Sequence, residues 1–401
     1  MLPRNALHRQ RLPKLALTDR GIDAASAGGF QVAMTASPFI PSRRSFVAGT
    51  LAFAGTPAAA MAATPDRLIA GTYASRGGAG VVPLSGTADR WTAGEPVAAI
   101  RNASFGVGSR DGRVRYLLDE SEVGTLGIYD RALKSLGSMS TLGAHPCHAA
   151  LSPDGGMLAV ANYSSGNIAL WRLDRKTGLP VGEAQSVAHR GSGPDQRRQT
   201  GPHAHWVGFS RDGRTLHAVD LGADAVFAHR VDPGSGRVAG SDVVYRAAPG
   251  SGPRHLASHP RLPVAFLLAE LANTVTVLRA NSDGSFTAGK TLSTLPAGFD
   301  GASYGAHIAV NHAGTRLYLS NRGHDSIAVF AIARDGGLSL IQHVSCGGHW
   351  PRLFLLREGR GELLVANERS GNVAVLRIQA DGRLAEPVRG PAIPGVVFLA
   401  A

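Results

Sequence analysis

Basic side chains recur a few residues ahead of a repeated tetrapeptide of the type Ser-x-Asp-Gly and of its degenerate copies. In five of the repeats a His or Arg lies four or five residues before the tetrapeptide: His148, His205, Arg254, His307 and Arg352. Basic groups that face one another repel and lose hydration unless an anion or an acid compensates them. The spacing therefore predicts a site for an anionic or oxyanion-forming ligand, with these five residues at one structural level.

Acids and amides recur about ten residues after the start of each tetrapeptide. The residues at this position are Asp119, Asn162, Asp220, Asn321 and Asn367, with Glu270 at twelve. If each tetrapeptide joins two antiparallel strands, the end of the second strand lies beside the start of the first, so both sets crowd one end of the fold. An Asp or Asn at a strand end also caps turns, which is the simpler interpretation of Asp119, Asn162 and Asn367.

The elements that would position these residues are short strands in a repeating unit. The six tetrapeptides begin at Ser109, Ser152, Ser210, Ser258, Asn311 and Arg357, with spacings of 43, 58, 48, 53 and 46 residues. A period of this length is typical of propeller blades. Within one unit, strand-like segments at 316–320 and 327–332 flank a polar turn, and the pair Asp335-Gly336 opens a further strand.

The sequence thus predicts an all-β fold, a seven-bladed β-propeller with four antiparallel strands per blade, as a single domain over residues 63–401. A partial unit at 68–84 precedes the six others, and a terminal strand at 396–400 is expected to close the ring against it. With 51 Gly and only 17% charged residues among 401, the composition argues against coiled coils, helical bundles and disorder. Cys147 and Cys346, in different blades, are expected to be free buried thiols.

The first 62 residues are predicted to be a twin-arginine export signal with an upstream extension. The arginine pair at 43–44 precedes a weakly apolar, Ala- and Gly-rich run at 47–60, and residues 60–62 offer small side chains to signal peptidase. The run is too short for a stable membrane span. We expect recognition by the twin-arginine machinery, a periplasmic mature chain without a membrane anchor, and translation from Met34. A chance arginine pair would leave the protein cytoplasmic.

The formal net charge of +12 does not indicate nucleic-acid binding. Residues 1–62 carry seven Lys or Arg and two Asp, and no later stretch combines a basic run with interleaved aromatic residues. The remaining positive charge is consistent with attraction of small anions.

Two chemical motifs are excluded by their surroundings. Residues 284–291 fit the P-loop spelling and residues 301–305 the nucleophile-elbow spelling, but neither lies between a strand and a helix. His203 and His205 could ligate a metal, but a pair alone is a weak signal. We therefore expect neither a metal nor a cofactor.

Eight short segments, in order along nearly the whole of the expected propeller domain, carry a family resemblance. They are residues 161–166, 201–205, 220–224, 252–255, 270–271, 320–325, 351–352 and 366–368. As a set they resemble the seven-bladed lactonase propeller family, which includes bacterial 6-phosphogluconolactonases and fungal carboxymuconate-lactonizing enzymes.

The resemblance implies which residues act. The family's catalytic His would fall on His203-x-His205, its arginines on Arg254 and Arg322, and its acid on Glu270. The polar residues expected to contact the substrate are His148, His255, His307, Arg352, Asn321 and Glu368.

The resemblance favours hydrolysis of a small-molecule sugar lactone. Fixed guanidinium groups would stabilise the oxyanion that forms on the lactone carbonyl, while a neutral His203 or His205 takes a proton from the attacking water. Glu270 would orient the His or an Arg. The same groups could bind a carboxylate in a muconate-type lactonizing cycloisomerization, and a propeller can also serve as a non-catalytic scaffold.

Two features bear on the expected substrate. Where the family usually has Ala-Glu-Ile, this chain has Ala306-His307-Ile308, so an acid is replaced by a base at the channel. The export signal also conflicts with 6-phosphogluconolactone, which is made and used in the cytoplasm. The expected substrate is therefore an unphosphorylated aldonolactone or a similar lactone.

Overall fold

The computed structural model describes residues 65–88 and 90–401, so the predicted export signal at 1–62 lies outside the described residues. Within them the chain forms β-strands and two single-turn 3-10 helices, at Ala74–Arg76 and Glu358–Arg360. The strands form seven antiparallel sheets of four strands each. The predicted seven-bladed β-propeller is confirmed.

The blades are numbered in chain order, and each is given from its innermost strand outward. Blade 1 contains β28 (Val396–Ala400), β1 (Asp66–Thr72), β2 (Val82–Thr87) and β3 (Arg90–Ala93). Blade 2 contains β4 (Gly106–Gly108), β5 (Val114–Asp119), β6 (Thr125–Asp130) and β7 (Ser135–Ser140). Blade 3 contains β8 (Pro146–Leu151), β9 (Met157–Asn162), β10 (Asn167–Leu173) and β11 (Pro180–Ala188). Blade 4 contains β12 (Ala204–Phe209), β13 (Thr215–Asp220), β14 (Ala225–Asp232) and β15 (Arg237–Arg246).

Blade 5 contains β16 (Pro253–Ser258), β17 (Val264–Ala269), β18 (Thr274–Ala280) and β19 (Phe286–Ser293). Blade 6 contains β20 (Tyr304–Val310), β21 (Arg316–Arg322), β22 (Ser326–Ile332) and β23 (Leu338–Ser345). Blade 7 contains β24 (Pro351–Arg357), β25 (Glu362–Asn367), β26 (Asn372–Arg377) and β27 (Val388–Ala392). The P-loop-like segment thus lies largely in β19, and Ser303 directly precedes β20, so both motifs were correctly set aside.

The repeated tetrapeptide is the turn between the first and second strands of a blade. In blade 3 the Ser152 hydroxyl donates to Asp154 (2.6 Å) and accepts the backbone N–H of Met157 (2.9 Å). Gly155 takes a positive φ of 70°, which glycine adopts without a steric penalty. The side chains of the motif therefore hold the turn, which explains why it recurs in each unit.

The last strand closes the ring. β28 pairs with β1 in an antiparallel ladder in which Ile69 lies opposite Ala400 and Ala70 opposite Leu399. The innermost strand of blade 1 thus comes from the far end of the described chain, as predicted. Apolar side chains fill the spaces between adjacent blades; for example, Phe266 and Phe330 lie in one cluster shared by blades 5 and 6. The expectation for the cysteines is also confirmed, since both are buried and free.

The Asp or Asn at the end of the second strand ties neighbouring blades together. The side-chain amides of Asn162, Asn321 and Asn367 donate to the backbone carbonyls of Thr141 (2.8 Å), Thr294 (2.9 Å) and Cys346 (3.0 Å), each just past the outer strand of the preceding blade. In blade 4, Asp220 Oδ2 instead lies 2.7 Å from His189 Nδ1. These buried residues are structural, but Asn162 and Asn367 tie blades together rather than cap turns, as the simpler interpretation had expected.

Candidate functional site

The residue that follows the blade-tie position, which is occupied by Thr72 in blade 1 and Ala269 in blade 5, is presented at one end of the central channel. These seven residues, one per blade, are called the mouth ring: Tyr73, Glu120, Tyr163, Leu221, Glu270, Arg322 and Glu368. In five blades the backbone N–H of this residue donates to the carbonyl just ahead of the innermost strand, as from Glu270 to Gly252 (2.7 Å). The repeated hydrogen bond gives the ring residues equivalent positions, so their side chains converge on the channel.

A second set comes from a β-bulge near the start of the innermost strand. In blade 4 Ala204 lies opposite Asp220 and Trp206 opposite Val219, so His205 is the extra residue. The equivalent residues of blades 3, 5, 6 and 7 are Cys147, Arg254, Ala306 and Arg352. A bulge redirects a side chain that would otherwise alternate across the sheet.

This register corrects the expectation that five basic residues share one structural level. His205, Arg254 and Arg352 do, but His148 and His307 are one residue further along their strands, at the level of His255. The extra residue of the bulge lies five positions before the turn residue in blades 3, 4 and 6, whereas His148 and His307 lie four positions before theirs, so they fall one residue further along their strands.

The centre of the site is the carboxylate of Glu270, whose side chain is 5% exposed. Its Oε2 atom lies 2.8 Å from Arg322 Nη2 and 3.0 Å from Arg254 Nε. Its Oε1 atom lies 2.7 Å from Nη2 of Arg198, in the loop that precedes β12. Three guanidinium groups thus surround one carboxylate, and the cluster keeps two net positive charges.

Electrostatics keep this cluster ionised. Burial alone raises the pKa of Glu270, but the charges of Arg322 and Arg254 outweigh it and hold that pKa well below its ordinary value. Burial and then the charge of Arg322 lower the pKa of Arg254 to about 9, with Glu270 acting in the opposite direction. Arg254 therefore stays charged at neutral pH. Arg322 also has a buried Nε with no partner among the described residues, so it retains a donor.

His205 lies beside this cluster, with Nε2 3.9 Å from Glu270 Oε2. On its other side Nδ1 is 3.6 Å from the Cys147 thiol. Burial, followed by the charge of Arg254, lowers the pKa of His205 well below its ordinary value, and Glu270 only partly opposes this. His205 is therefore unprotonated and available as a proton acceptor, and the adjacent Glu270 carboxylate favours its protonated form.

His203 is placed differently. Its ring stacks on Tyr163 with the centroids 4.5 Å apart, and Nδ1 lies 2.9 Å from the Tyr163 carbonyl oxygen. Its backbone N–H donates to Asp220 (2.7 Å). A Cβ at Gly222 would lie 2.9 Å from the His203 ring and 1.9 Å from the Gly201 carbonyl, so only glycine fits there. Of the two histidines, His205 therefore lies against Glu270, whereas His203 packs on Tyr163.

The remaining histidines line the channel next to the cluster. The His255 ring centroid is 5.3 Å from that of His148, 5.4 Å from that of His205 and 5.5 Å from that of His307. Arg254 Nη1 donates to His255 Nε2 (2.9 Å), so His255 carries its proton on Nδ1, which faces His307 Nδ1 at 3.4 Å. Burial lowers the pKa of His307 to about 3 and those of His148 and His255 well below their ordinary values. The channel wall is therefore made of neutral imidazoles.

Arg352 belongs to a different part of the mouth. Its Nη2 atom lies 3.5 Å from Glu120 Oε2, which also accepts the Tyr73 hydroxyl (2.6 Å). The Arg352 guanidinium lies over the Tyr73 ring, 5.0 Å from its centroid. Glu368, 7% exposed, pairs with Arg76 at 3.3 Å. These groups belong to blades 7, 1 and 2.

Of the site residues proposed from the sequence, Asn321 does not face the site, because its side-chain amide joins blades 5 and 6. The sequence reasoning did not assign a role to Arg198, Tyr163, Tyr73 or Glu120. The last three were detectable, because each lies one residue beyond the repeated strand end. Arg198 lies in an irregular loop whose sequence carries no repeat signal.

Among residues 65–88 and 90–401, no group of three or more His, Cys, Asp or Glu side chains is arranged to hold a metal ion. Within the same residues, no helix has the length and apolarity needed to cross a membrane.

Comparison with known proteins identifies the family. Residues 67–400 match the model of the family described as lactonase, 7-bladed beta-propeller. A 6-phosphogluconolactonase of Bacillus subtilis is 32% identical over 328 residues, which cover 78% of this chain and 92% of the relative. A solved structure described as the periplasmic gluconolactonase of Pseudomonas aeruginosa superposes with a TM-score of 0.77 at 28% identity, covering 84% of this chain and 99% of that one. A Lactobacillus plantarum protein structure gives a TM-score of 0.76 at 26% identity, with 84% and 99% coverage. The chain belongs to the lactonase family of seven-bladed β-propellers.

Proposed function

We propose that this protein is a lactonase that hydrolyses an unphosphorylated aldonolactone to the open sugar acid. The observation that carries the proposal is the Glu270 cluster, in which three guanidinium groups share one buried carboxylate beside the neutral imidazole of His205. Such a cluster attracts an anion and is already organised before the anion forms. The names of the Bacillus and Pseudomonas relatives agree with a sugar lactone as the substrate class.

The reaction needs an electrophile, a base and a proton donor. The lactone carbonyl oxygen lies against Arg254 and Arg322, which stabilise the negative charge that develops on it. His205 takes a proton from water as the water oxygen bonds to the carbonyl carbon. The tetrahedral intermediate then collapses with cleavage of the bond to the ring oxygen, and the protonated His205 returns its proton to that oxygen. The product carboxylic acid releases its proton to solvent, which the pH-stat detects, and its carboxylate is held by the same arginines.

His205 is the better candidate for the base of the two sequence neighbours. It is buried against Glu270, whereas His203 is half-buried, stacks on Tyr163 and uses Nδ1 on a backbone carbonyl. We assign His203 the role of holding Tyr163, whose hydroxyl accepts a hydrogen bond from Arg198 (3.0 Å). Glu270 acts as a positioning residue that keeps the arginines together and faces His205.

The site of action is proposed to be the periplasm, after export by the twin-arginine machinery through the signal at residues 1–62. An exported enzyme would not meet a phosphorylated cytoplasmic intermediate, which is why the proposed substrate lacks a phosphate. Fractionation of a wild-type host tests this step, and complete retention of the mature protein in the cytoplasm would contradict it.

The activity is tested by base uptake in a pH-stat with the purified mature chain. Glucono-1,5-lactone and its 6-phospho form are compared, each against its own spontaneous rate. We expect acceleration of the plain lactone, and loss of that acceleration in Arg254→Met. An exposed arginine on the outer strand of blade 4, Arg237, provides the matched control as Arg237→Met.

The other outcomes each have a meaning. Acceleration of the phosphorylated lactone alone would refute the proposed substrate and favour a cytoplasmic role. Acceleration of neither would refute the lactonase proposal and return the protein to a muconate-type cycloisomerase or a binding scaffold. Arg254→Met with undiminished activity would refute the assignment of the site.

A further inference from the structure

The channel mouth is divided into two arcs that differ in their ratio of guanidinium groups to carboxylates. One arc is the Glu270 cluster, in blades 4 to 6, with one carboxylate against three guanidinium groups. The other arc, called here the acidic arc, consists of the mouth-ring residues Glu368, Tyr73 and Glu120 of the consecutive blades 7, 1 and 2. Among the described residues, Arg352 is the only well-buried cation paired within it, and the other paired cation, Arg76 on Glu368, is 52% exposed.

Arg352 links the two arcs electrostatically. Arg352 interacts electrostatically with Glu120 and Glu368 of the acidic arc and also with Glu270. Burial lowers the pKa of Arg352, but Tyr73, Glu120 and Glu368 raise it, and the net pKa lies above its ordinary value. Arg352 is therefore fixed between the arcs as a permanent charge. Its charge is compensated by carboxylates of the protein, chiefly Glu120, rather than being available to bind an anionic ligand.

The acidic arc keeps hydrogen-bond acceptors for a ligand. Among the described contacts Glu120 uses only Oε2, toward Tyr73 and Arg352, and Glu368 uses only Oε1, toward Arg76. The second oxygen of each carboxylate has no partner in the part of the chain that the structure describes. Ionised carboxylates accept hydrogen bonds and donate none, so they recognise hydroxyl groups.

The two other arginines near this arc lie outside it. Arg76 is 52% exposed, and Arg369 stacks on Trp350 with its guanidinium carbon 3.3 Å from the ring centroid. Exposed charges are screened by water and salt, whereas Glu368 and Glu120 are only 7% and 15% exposed. A phosphate group that enters the arc therefore meets mainly the two carboxylates.

We propose that the acidic arc is the polyol subsite of the enzyme, in which Glu120 and Glu368 bind the sugar hydroxyls and exclude a phosphorylated substrate. This inference rests on the proposed function, because it takes the Glu270 cluster as the place of the lactone carbonyl. The hydroxylated part of the ring then extends across the mouth to the acidic arc. A neutral polyol gains hydrogen bonds there, whereas a phosphate gains repulsion, so the two carboxylates set selectivity by penalising the wrong substrate.

The test is the ratio of kcat/KM for glucono-1,5-lactone to kcat/KM for 6-phosphoglucono-1,5-lactone. The wild-type ratio should exceed about ten, because like-charge contacts in a partly buried site cost more than one factor of ten in affinity. Glu120→Gln and Glu368→Gln should each lower the ratio, and the double variant should lower it by about tenfold or more. The change should fall mainly on KM, since the Glu270 cluster is left intact.

Glu122→Gln is the matched control. Glu122 lies two residues from Glu120 and is exposed, so its neutralisation removes the same formal charge without touching the arc. The control should keep the wild-type ratio. A second measurement uses only the wild-type protein: gluconate should raise the melting temperature more than 6-phosphogluconate does at equal concentration. This holds even if the double variant fails to fold.

The outcomes separate the two proposals. If the wild type accelerates neither lactone, the proposed function is refuted and this inference falls with it. If the wild type hydrolyses glucono-1,5-lactone but the double variant keeps the wild-type ratio, only the inference is refuted. A wild type that prefers the phosphorylated lactone, or is stabilised more by 6-phosphogluconate, also refutes it and indicates that Arg76 and Arg369 bind the phosphate.

Discussion

Replacement of Glu270 by Gln should destabilise the fold and abolish activity together. The substitution keeps the volume and one carbonyl oxygen but removes the carboxylate that, among the described residues, is the only one paired with Arg254 and Arg322, which are 3% and 7% exposed. Removing one partner of a buried ion pair costs about 3–5 kcal/mol, because the remaining charge stays buried without compensation. Here two buried guanidinium groups would be left.

The magnitude can be expressed as a melting temperature. Unfolding entropy near 60 °C is about 2.1 cal/mol/K per residue, or roughly 0.7 kcal/mol/K for a propeller of about 340 residues. A loss of about 3–5 kcal/mol therefore lowers the melting temperature by about 4–7 °C. Activity should fall by about 10²–10⁴, because His205 and the arginines lose the group that aligns them.

The assay is a thermal melt by circular dichroism together with lactone hydrolysis in the pH-stat. Glu386→Gln, at an exposed acid near blade 7, is the control and should change neither quantity. Formate added to Glu270→Ala should recover part of the lost melting temperature, since a small carboxylate can replace the missing one. A melting temperature within 1 °C of wild type for Glu270→Gln, measured to that precision, would refute the proposed charge compensation.

The remaining predictions concern the base, the blade ties and ring closure. His205→Gln should lower kcat by about 10²–10⁴ with KM nearly unchanged, whereas His203→Gln should cost less than about tenfold; the reverse order in the pH-stat would exchange their roles. Because the pKa of His205 is held below its ordinary value, its neutral form persists to lower pH. In a pH-rate profile the midpoint of the acid limb of kcat/KM should therefore lie below pH 6.5, and a midpoint above 6.5 would contradict this. Asp220→Asn, at a fully buried carboxylate, should cost about 1–3 kcal/mol in urea unfolding, and the exposed Asp242→Asn should cost nothing measurable. Deletion of residues 396–401 removes four buried apolar side chains worth about 6 kcal/mol or more, so the truncated protein should lose its cooperative melt; a wild-type melt would show that the ring tolerates opening.

The fold was predictable because its information is local and repeated. The Ser152 turn is stabilised by its own side chains within five residues, so its sequence marks the joint between two strands wherever it occurs. Ring closure was predictable for a different reason: the segment at 396–400 is apolar and strand-like but has no blade of its own.

The residue types of the candidate site could be predicted from the sequence, but their exact positions along the strands could not. In blade 5 the residue equivalent to Ser152 and Ser210 is His259, whose N–H bonds the carbonyl of Val264 just as theirs bond across the turn. Arg254 therefore lies five residues before its turn residue, as His205 does, although it lies four before Ser258. Strand pairing is needed to show that residues four and five before the turn occupy different levels.

Arg198 could not be found from the sequence, because its position follows from the path of an irregular loop rather than from a period. Its contacts with Glu270 (2.7 Å) and Tyr163 (3.0 Å) depend on how residues 189–203 cross the mouth, and such a crossing has no local signature.

The pairing of β1 with β28 also has a kinetic consequence. Ile69 and Ala400 face each other in this ladder, although nearly the whole propeller lies between them in sequence. Bringing them together therefore carries one of the largest loop-closure costs in the described structure. During synthesis β28 follows every other described strand of the propeller, and until it is made blade 1 has a bare edge that can pair with other chains. Because folding slows as contact order rises, the closed ring should form slowly, and chaperones should protect the nascent protein until it does.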